Sequence, residues 1–109
     1  FQFLGYQAES PCFTDSSQGI IGQFMVANNQ PRIELLQNSE GSTTLTPYLE
    51  KGVKLYHFAY SVDQIEKACE YLVKCRAKVM SPLKESVYFG KRICFLMLSN
   101  MFLIELVEE

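Results

Sequence analysis

An amphipathic helix in the second half of the chain is the feature that most restricts the folds open to this sequence. From Asp63 to Arg76, apolar residues recur at helical spacing, at positions 65, 68, 69, 72 and 75. The pattern Ser-x-x-Gln at residues 61–64 predicts a capping box at the start of this helix. Strand-like segments flank it on both sides, at residues 53–62, 77–84, 92–98 and 101–107. The second half therefore predicts the order strand, helix, strand, strand, strand.

The first half predicts a shortened copy of the same unit. Residues 1–6 have the pattern of a helix end, a glycine stop and the start of a strand. Residues 11–19 are rich in turn formers, strands are predicted at 20–27 and 32–37, and residues 47–51 favour one helical turn. The segments PRIELLQ and FLIELVE, near the ends of the two halves, share an Ile-Glu-Leu frame. We interpret this as a weak internal repeat whose first unit lacks its first strand and most of its helix.

Composition and charge exclude several classes of protein. At 109 residues, with 48% hydrophobic and 20% charged residues, the chain has the size and balance of one globular domain. The net charge is -2 and the basic residues form no cluster, which argues against a nucleic-acid partner. No apolar run approaches the ~20 residues of a membrane helix. The four cysteines form no close Cys-x-x-Cys pair, so we expect reduced thiols in a cytoplasmic protein. The sequence does not decide whether a targeting segment precedes Phe1.

Three polar residues in apolar strands are candidate metal ligands. His57 is the only histidine, and Glu34 and Glu105 occupy the two Ile-Glu-Leu frames. A dry, unpaired carboxylate in mid-strand is strongly unfavourable, and one imidazole with two carboxylates is a donor set for Zn, Co, Ni, Mn or Fe(II). We therefore predict that the three side chains meet in the mouth of a curved sheet and bind a divalent metal.

Simpler interpretations of the same residues stay open. A histidine in an apolar strand can be a hydrogen-bonded structural residue. Each glutamate could pair with a basic neighbour such as Arg32, Lys91 or Arg92. A small ferredoxin-like α+β interaction domain without metal would also fit the element order.

Four stretches of the chain resemble the vicinal-oxygen-chelate, or glyoxalase-like, superfamily, nearest its methylmalonyl-CoA epimerase branch. The first stretch is IELL at residues 33–36 together with PYLEK at 47–51, and the second is HFAYSVD at 57–63. The third is GKRI with the following FL, within residues 90–96, and the fourth is LIEL at 103–106. The resemblance implies an α+β fold in which paired βαβββ modules form a half-open barrel around a metal. In a single domain of residues 1–109, module 1–50 would be incomplete and module 53–109 complete. The metal ligands would be Glu34, His57 and Glu105, with a fourth on a strand preceding Phe1.

The resemblance also implies a function. We expect a metal-dependent isomerase, epimerase or lyase acting on a small carbonyl or acyl-thioester substrate, with Glu105 or a bound water as proton acceptor. Epimerase members carry a catalytic glutamate three residues after a Gln-Gly pair, whereas Gln18-Gly19 is followed at that place by Gly22. A non-catalytic member that binds a small ligand is the alternative. Exposed sheet edges predict a homodimer.

Overall fold

The computed structural model describes residues 1–86 and 90–109, which fall into two compact units. The N-terminal unit is Phe1–Gly52 and the C-terminal unit is Val53–Glu109. After a 3-10 turn at Gln2–Leu4, the N-terminal unit contains β1 (Gln7–Ala8), β2 (Phe13–Asp15), β3 (Ile20–Val26), β4 (Ile33–Asn38) and α1 (Thr46–Glu50). The C-terminal unit contains β5 (Phe58–Val62), α2 (Ile65–Lys74), β6 (Lys78–Glu85), β7 (Arg92–Met97) and β8 (Leu103–Glu108).

The sheet of the N-terminal unit is antiparallel and centred on β3. Strand β4 pairs along β3, while β1 and β2 pair with successive parts of it, Gln7 opposite Val26 and Phe13 opposite Gly22. The two short strands thus form one interrupted edge strand, and the break contains Pro11, which has no N–H to donate to a ladder. The prediction of a continuous turn region at 11–19 is therefore wrong at β2.

The C-terminal unit confirms the predicted order strand, helix, strand, strand, strand. Its sheet has the order β5-β8-β7-β6, with β5 and β8 parallel and the other neighbours antiparallel. Helix α2 and one face of this sheet share a hydrophobic core, made of Ile65, Ala77, Cys94, Leu96, Ile104 and Leu106. Strand β6, which contains Pro82, lies at an edge and has an irregular register, as its proline predicts.

The strand that carries the histidine differs from its prediction. Residues 53–62 were expected to form a long central strand with His57 in its middle, but β5 begins at Phe58 and lies at an edge of the sheet. The register explains the short length. Phe58 pairs with Ile104, and β8 itself begins at Leu103, so residues before His57 would have to pair with the hairpin loop.

Two local turn predictions are also wrong. Ser61 belongs to β5, opposite Val107, and α2 begins after Gln64, which makes no side-chain cap hydrogen bond to the described residues, so the capping box does not form. Between β7 and β8, the Leu98 N–H donates to the Phe102 carbonyl and so closes a turn of three residues, 99–101, rather than the predicted two. The Met101 N–H donates to the Leu98 carbonyl, and Met101 has a φ of 70°, as in a type I turn followed by a left-handed residue.

The described helices are short or amphipathic. Within residues 1–86 and 90–109, no helix combines the length and the apolar character needed to cross a membrane. This agrees with the sequence, in which no apolar run has the length of a membrane helix.

Candidate metal centre

The two candidate carboxylates occupy the same place in the two sheets. Glu34 on β4 pairs directly with Phe24 on β3, and Glu105 on β8 pairs directly with Phe95 on β7. Because directly opposite residues point to one face of a sheet, each glutamate shares its face with a phenylalanine. The internal repeat inferred from the Ile-Glu-Leu frames is thus matched in strand register.

His57 and Glu105 form a close, nearly dry pair in the C-terminal unit. Nε2 of His57 lies 3.3 Å from Oε1 of Glu105, and the two side chains are only 9% and 7% exposed. This distance is longer than the usual ~2.9–3.0 Å of an N–H···O hydrogen bond. Two ligand atoms bound to one metal at ~2.0–2.2 Å would lie roughly 3.0–3.5 Å apart. The separation therefore fits two ligands of a common cation at least as well as a direct hydrogen bond.

Aromatic packing holds the imidazole in place. The ring of Tyr56 meets that of His57 edge to face at 4.4 Å, and the ring of Phe95 does so at 5.1 Å. Nδ1 of His57 is buried and has no hydrogen-bond partner among the described residues. A metal-bound histidine usually donates its second N–H to a carbonyl or carboxylate, so ring packing here takes over that orienting role.

Glu34 lies half-buried on β4 of the N-terminal unit. Beside it, the Arg32 guanidinium lies 4.0 Å from the centroid of the Phe24 ring and forms an ion pair with Glu9. Glu34, His57 and Glu105 each offer one ligand atom of a type suited to a first-row divalent metal. Since Glu34 belongs to the other unit, its convergence with the other two residues stays a prediction.

A salt bridge between Glu105 and Arg92, one of the simpler interpretations, is not the arrangement observed. The Arg92 guanidinium donates to Oε1 of Glu108 at 2.9 Å and to Oε2 of Glu66 at 3.1 Å. These hydrogen bonds lower the pKa of both the Glu66 and Glu108 carboxyl groups. Arg92 therefore links α2 to β8 at the surface, while the buried Glu105 has His57 beside it.

The position expected for an epimerase base is covered by an aromatic ring. A Cβ atom added to Gly22 would lie 2.6 Å from Cζ of Phe13 and 3.1 Å from Cδ2 of Leu36. Gly22 faces Phe13 on β2 and Leu36 on β4, so the close approach follows from the register on both sides. The structure thus has neither the carboxylate nor the space for one at this position.

Replacing Gly22 with alanine is expected to lower the free energy of unfolding by about 1–3 kcal/mol, because the added methyl group overpacks against the Phe13 ring. Urea denaturation of the single variant measures this loss. The matched control is the same substitution in a Phe13→Ala background, where the space is open and the loss should largely disappear. Equal losses in the two backgrounds would mean that Phe13 is not the obstacle.

Sequence reasoning named the three polar residues but missed the two phenylalanines that pair with the glutamates across the strands. Phe24 and Phe95 occupy corresponding places on the strands that precede the Ile-Glu-Leu frames, in the segments QFMV and CFLM. Aligning the two halves by their last two strands, rather than by the last one alone, would have revealed this pair.

Comparisons with known proteins agree with this fold. The model of the Glyoxalase/Bleomycin resistance protein/Dioxygenase superfamily matches residues 1–107. A hypothetical protein from Bacillus halodurans C-125 has a TM-score of 0.80 at 22% identity, covering 97% of this chain and 78% of its own. Methylmalonyl-CoA epimerase from Mycobacterium tuberculosis has a TM-score of 0.80 at 20% identity, with coverages of 98% and 73%.

A second methylmalonyl-CoA epimerase has a TM-score of 0.73 at 18% identity, covering 96% of this chain and 79% of its own. No curated protein matches the chain. At these identities the similar structures establish the fold alone. Because the family model extends over nearly the whole sequence, this protein belongs to the glyoxalase/bleomycin resistance/dioxygenase superfamily.

Proposed function

We propose that this protein is a divalent-metal-dependent isomerase or lyase that acts on a small carbonyl or acyl-thioester substrate. The observation that carries the proposal is the His57–Glu105 pair, whose ligand-type atoms lie 3.3 Å apart in a nearly dry setting. Glu34 would supply the third ligand from the equivalent strand of the N-terminal unit. Three protein ligands would leave coordination positions for water or substrate, as catalytic metal sites require.

The metal, when bound, would polarise a substrate carbonyl oxygen and so make the neighbouring C–H more acidic. Protein side chains would bind the metal and exclude water from the site. His57 would offer the Nε2 lone pair, and the rings of Tyr56 and Phe95 would keep the imidazole oriented and water away from it. Low exposure strengthens every electrostatic interaction in such a site.

Proton transfer needs a base within hydrogen-bond reach of the substrate. Gly22 stands at the epimerase-type base position, so we assign the role of proton acceptor to the Glu105 carboxylate or to a water molecule beside it. Glu105 is 5% exposed. Arg92 does not pair with it, because the Arg92 guanidinium donates hydrogen bonds to Glu66 and Glu108. Substitution of Glu105 would then impair both metal binding and proton transfer.

A second candidate function is non-catalytic binding of a small ligand beside the metal. The arrangement at Gly22 favours it, because an apolar Phe13 ring lies where the related epimerases would need a catalytic carboxylate. The two candidates predict the same metal site and differ in turnover. A homodimeric, cytoplasmic protein with a small-molecule partner stays a prediction under either one.

Solvent deuterium exchange distinguishes the candidates. Metal-loaded protein is incubated in D₂O with an α-branched acyl-CoA thioester, or with the methylglyoxal–glutathione adduct, and label at the α-carbon or product formation is followed by NMR. Metal-dependent exchange or conversion, abolished by a chelator, supports the enzyme. Metal binding with neither exchange nor conversion supports the ligand-binding alternative, and a protein that binds no divalent metal excludes both.

Glu34→Gln tests the predicted third ligand. The substitution removes the charged donor while preserving size, and we expect divalent-metal affinity to fall at least ~10-fold. Glu40→Gln is the matched control, since Glu40 is an exposed glutamate of the same unit and should leave affinity unchanged. Equal affinities of the two variants would remove Glu34 from the site.

A further inference from the structure

We propose that Cys69 and Cys94 are a modification site, which an external oxidant converts into a reversible disulfide joining α2 to β7. Their Sγ atoms lie 2.9 Å apart. A disulfide bond measures about 2.05 Å, so the two sulfurs lie less than ~1 Å beyond bonding distance. Nothing in the proposed metal chemistry uses either thiol.

The two thiols meet inside the helix–sheet core. Cys94 is 1% exposed and belongs to the core cluster, and Cys69 on α2 packs against that cluster. The bond would therefore fasten the helix to the sheet at a point where they already touch. The two cysteines are 25 positions apart in sequence, so the bond would close a loop in the unfolded chain and lower its conformational entropy.

The proposed bond lies on the face of the sheet opposite the His57–Glu105 pair. Cys94 pairs with Leu106, a core residue, whereas its neighbour Phe95 pairs with Glu105 on the other face. Adjacent residues of a strand point to opposite faces. Oxidation therefore leaves the candidate metal ligands in place, and the proposal does not depend on the proposed function.

The chemistry is thiol–disulfide exchange with a low-molecular-weight disulfide such as oxidised glutathione. The thiolate of Cys69, the more accessible of the two, attacks one sulfur of the oxidant and releases one reduced thiol. The Cys94 sulfur then loses its proton, attacks Sγ of Cys69 and releases the second reduced thiol. Two protein thiols are oxidised and one external disulfide is reduced to two thiols.

Burial restricts the partners with which Cys94 can react. Burial, together with the adjacent Cys69 thiol, raises the pKa of Cys94 to about 12. Cys94 is then protonated at neutral pH, so it attacks only a sulfur that is already within reach. That makes the reaction selective for the mixed disulfide on Cys69 rather than for oxidants in solution.

The experiment uses a protein in which the exposed Cys12 and Cys75 are replaced by serine, which leaves only the proposed pair. The folded protein is treated with oxidised glutathione, unfolded under acid conditions and alkylated, and its mass and peptides are measured. We expect loss of two hydrogens, no added glutathione and a crosslinked Cys69–Cys94 peptide. The thermal midpoint should rise by roughly 10 °C or more and return after reduction.

Cys69→Ala in the same background is the control, and its thermal midpoint should not respond to the oxidant. Three results would overturn the proposal: two unmodified thiols after treatment of the folded protein, a stable glutathione adduct on Cys69, or a crosslink that forms only when the protein is unfolded first. Each would show that the folded core does not bring the two sulfurs into bonding distance.

Discussion

Replacing His57 with alanine is expected to reduce the affinity for divalent metal by more than ~100-fold. Loss of a group that merely orients a metal ligand costs ~10–100-fold, and His57 is proposed to be a ligand itself. His57 is the only histidine of the sequence, and its Nε2 lies 3.3 Å from Oε1 of Glu105. Competition with a chromophoric chelator measures the affinity, and elemental analysis measures the bound metal.

The matched control for this substitution is Leu55→Ala. Leu55 lies two residues upstream in the same segment and is 69% exposed, so its loss should leave metal affinity and folding unchanged. Unchanged circular dichroism of both variants would show that the fold survives. Wild-type metal content in the His57 variant would instead identify the His57–Glu105 contact as a structural hydrogen bond, and the proposed function would be withdrawn.

Metal removal gives an independent measure of the same site. A ligand that binds only the folded state stabilises it by about 2.7 kcal/mol at one hundred times its dissociation constant. We therefore expect metal to raise the thermal midpoint of the wild-type protein, and chelator to reverse the rise. The His57→Ala protein should show no response to either treatment, while the Leu55→Ala protein should respond as the wild type does.

The helix-centred half of the fold was predictable because its signal is local. Residues 65, 68, 69 and 72 repeat at the period of a helix, and the flanking apolar runs could only pair around it. The extent of β5 was not predictable in the same way. Residues 53–57 are as apolar as a strand, but whether they pair depends on where β8 begins, which only the folded β7–β8 hairpin fixes.

Turn and cap predictions failed where a strand took precedence over a local motif. Ser61 fits a capping box by sequence, yet its backbone is held in the ladder with β8 opposite Val107. Phe13–Asp15 lies in a segment of turn formers, yet it completes the edge of β3. In both cases ladder pairing outweighed a side-chain preference that contributes ~1 kcal/mol.

The candidate site was predictable in composition but not in geometry. The energetic cost of burying charged and polar groups singled out Glu34, His57 and Glu105, because a carboxylate or imidazole within an apolar segment requires a partner. Sequence placed His57 within a strand, whereas it lies just before β5 and is fixed by Tyr56 and Phe95. The contact with Phe95 depends on how the strands are aligned in the sheet, which no periodicity in the sequence encodes.

Leu96→Ala is the substitution expected to destabilise the fold most, by about 2–5 kcal/mol of unfolding free energy. Leu96 is fully buried on β7, between β8 and β6, and it belongs to the core that α2 shares with the sheet. Truncating the side chain removes the favourable free energy of burying its methyl groups. It also leaves a cavity that neighbouring β-sheet residues cannot collapse to fill. Urea denaturation followed by circular dichroism measures the change.

Leu83→Ala is the matched control, because Leu83 is the same residue type in the same sheet. It lies on the edge strand β6 and is 39% exposed, so its truncation should cost less than about 1 kcal/mol. The difference between the two variants tests whether Leu96 lies in the core shared with α2. Equal losses would place the core elsewhere, and the assignment of Cys94 to the helix side and Glu105 to the opposite side of the same sheet would fail with it.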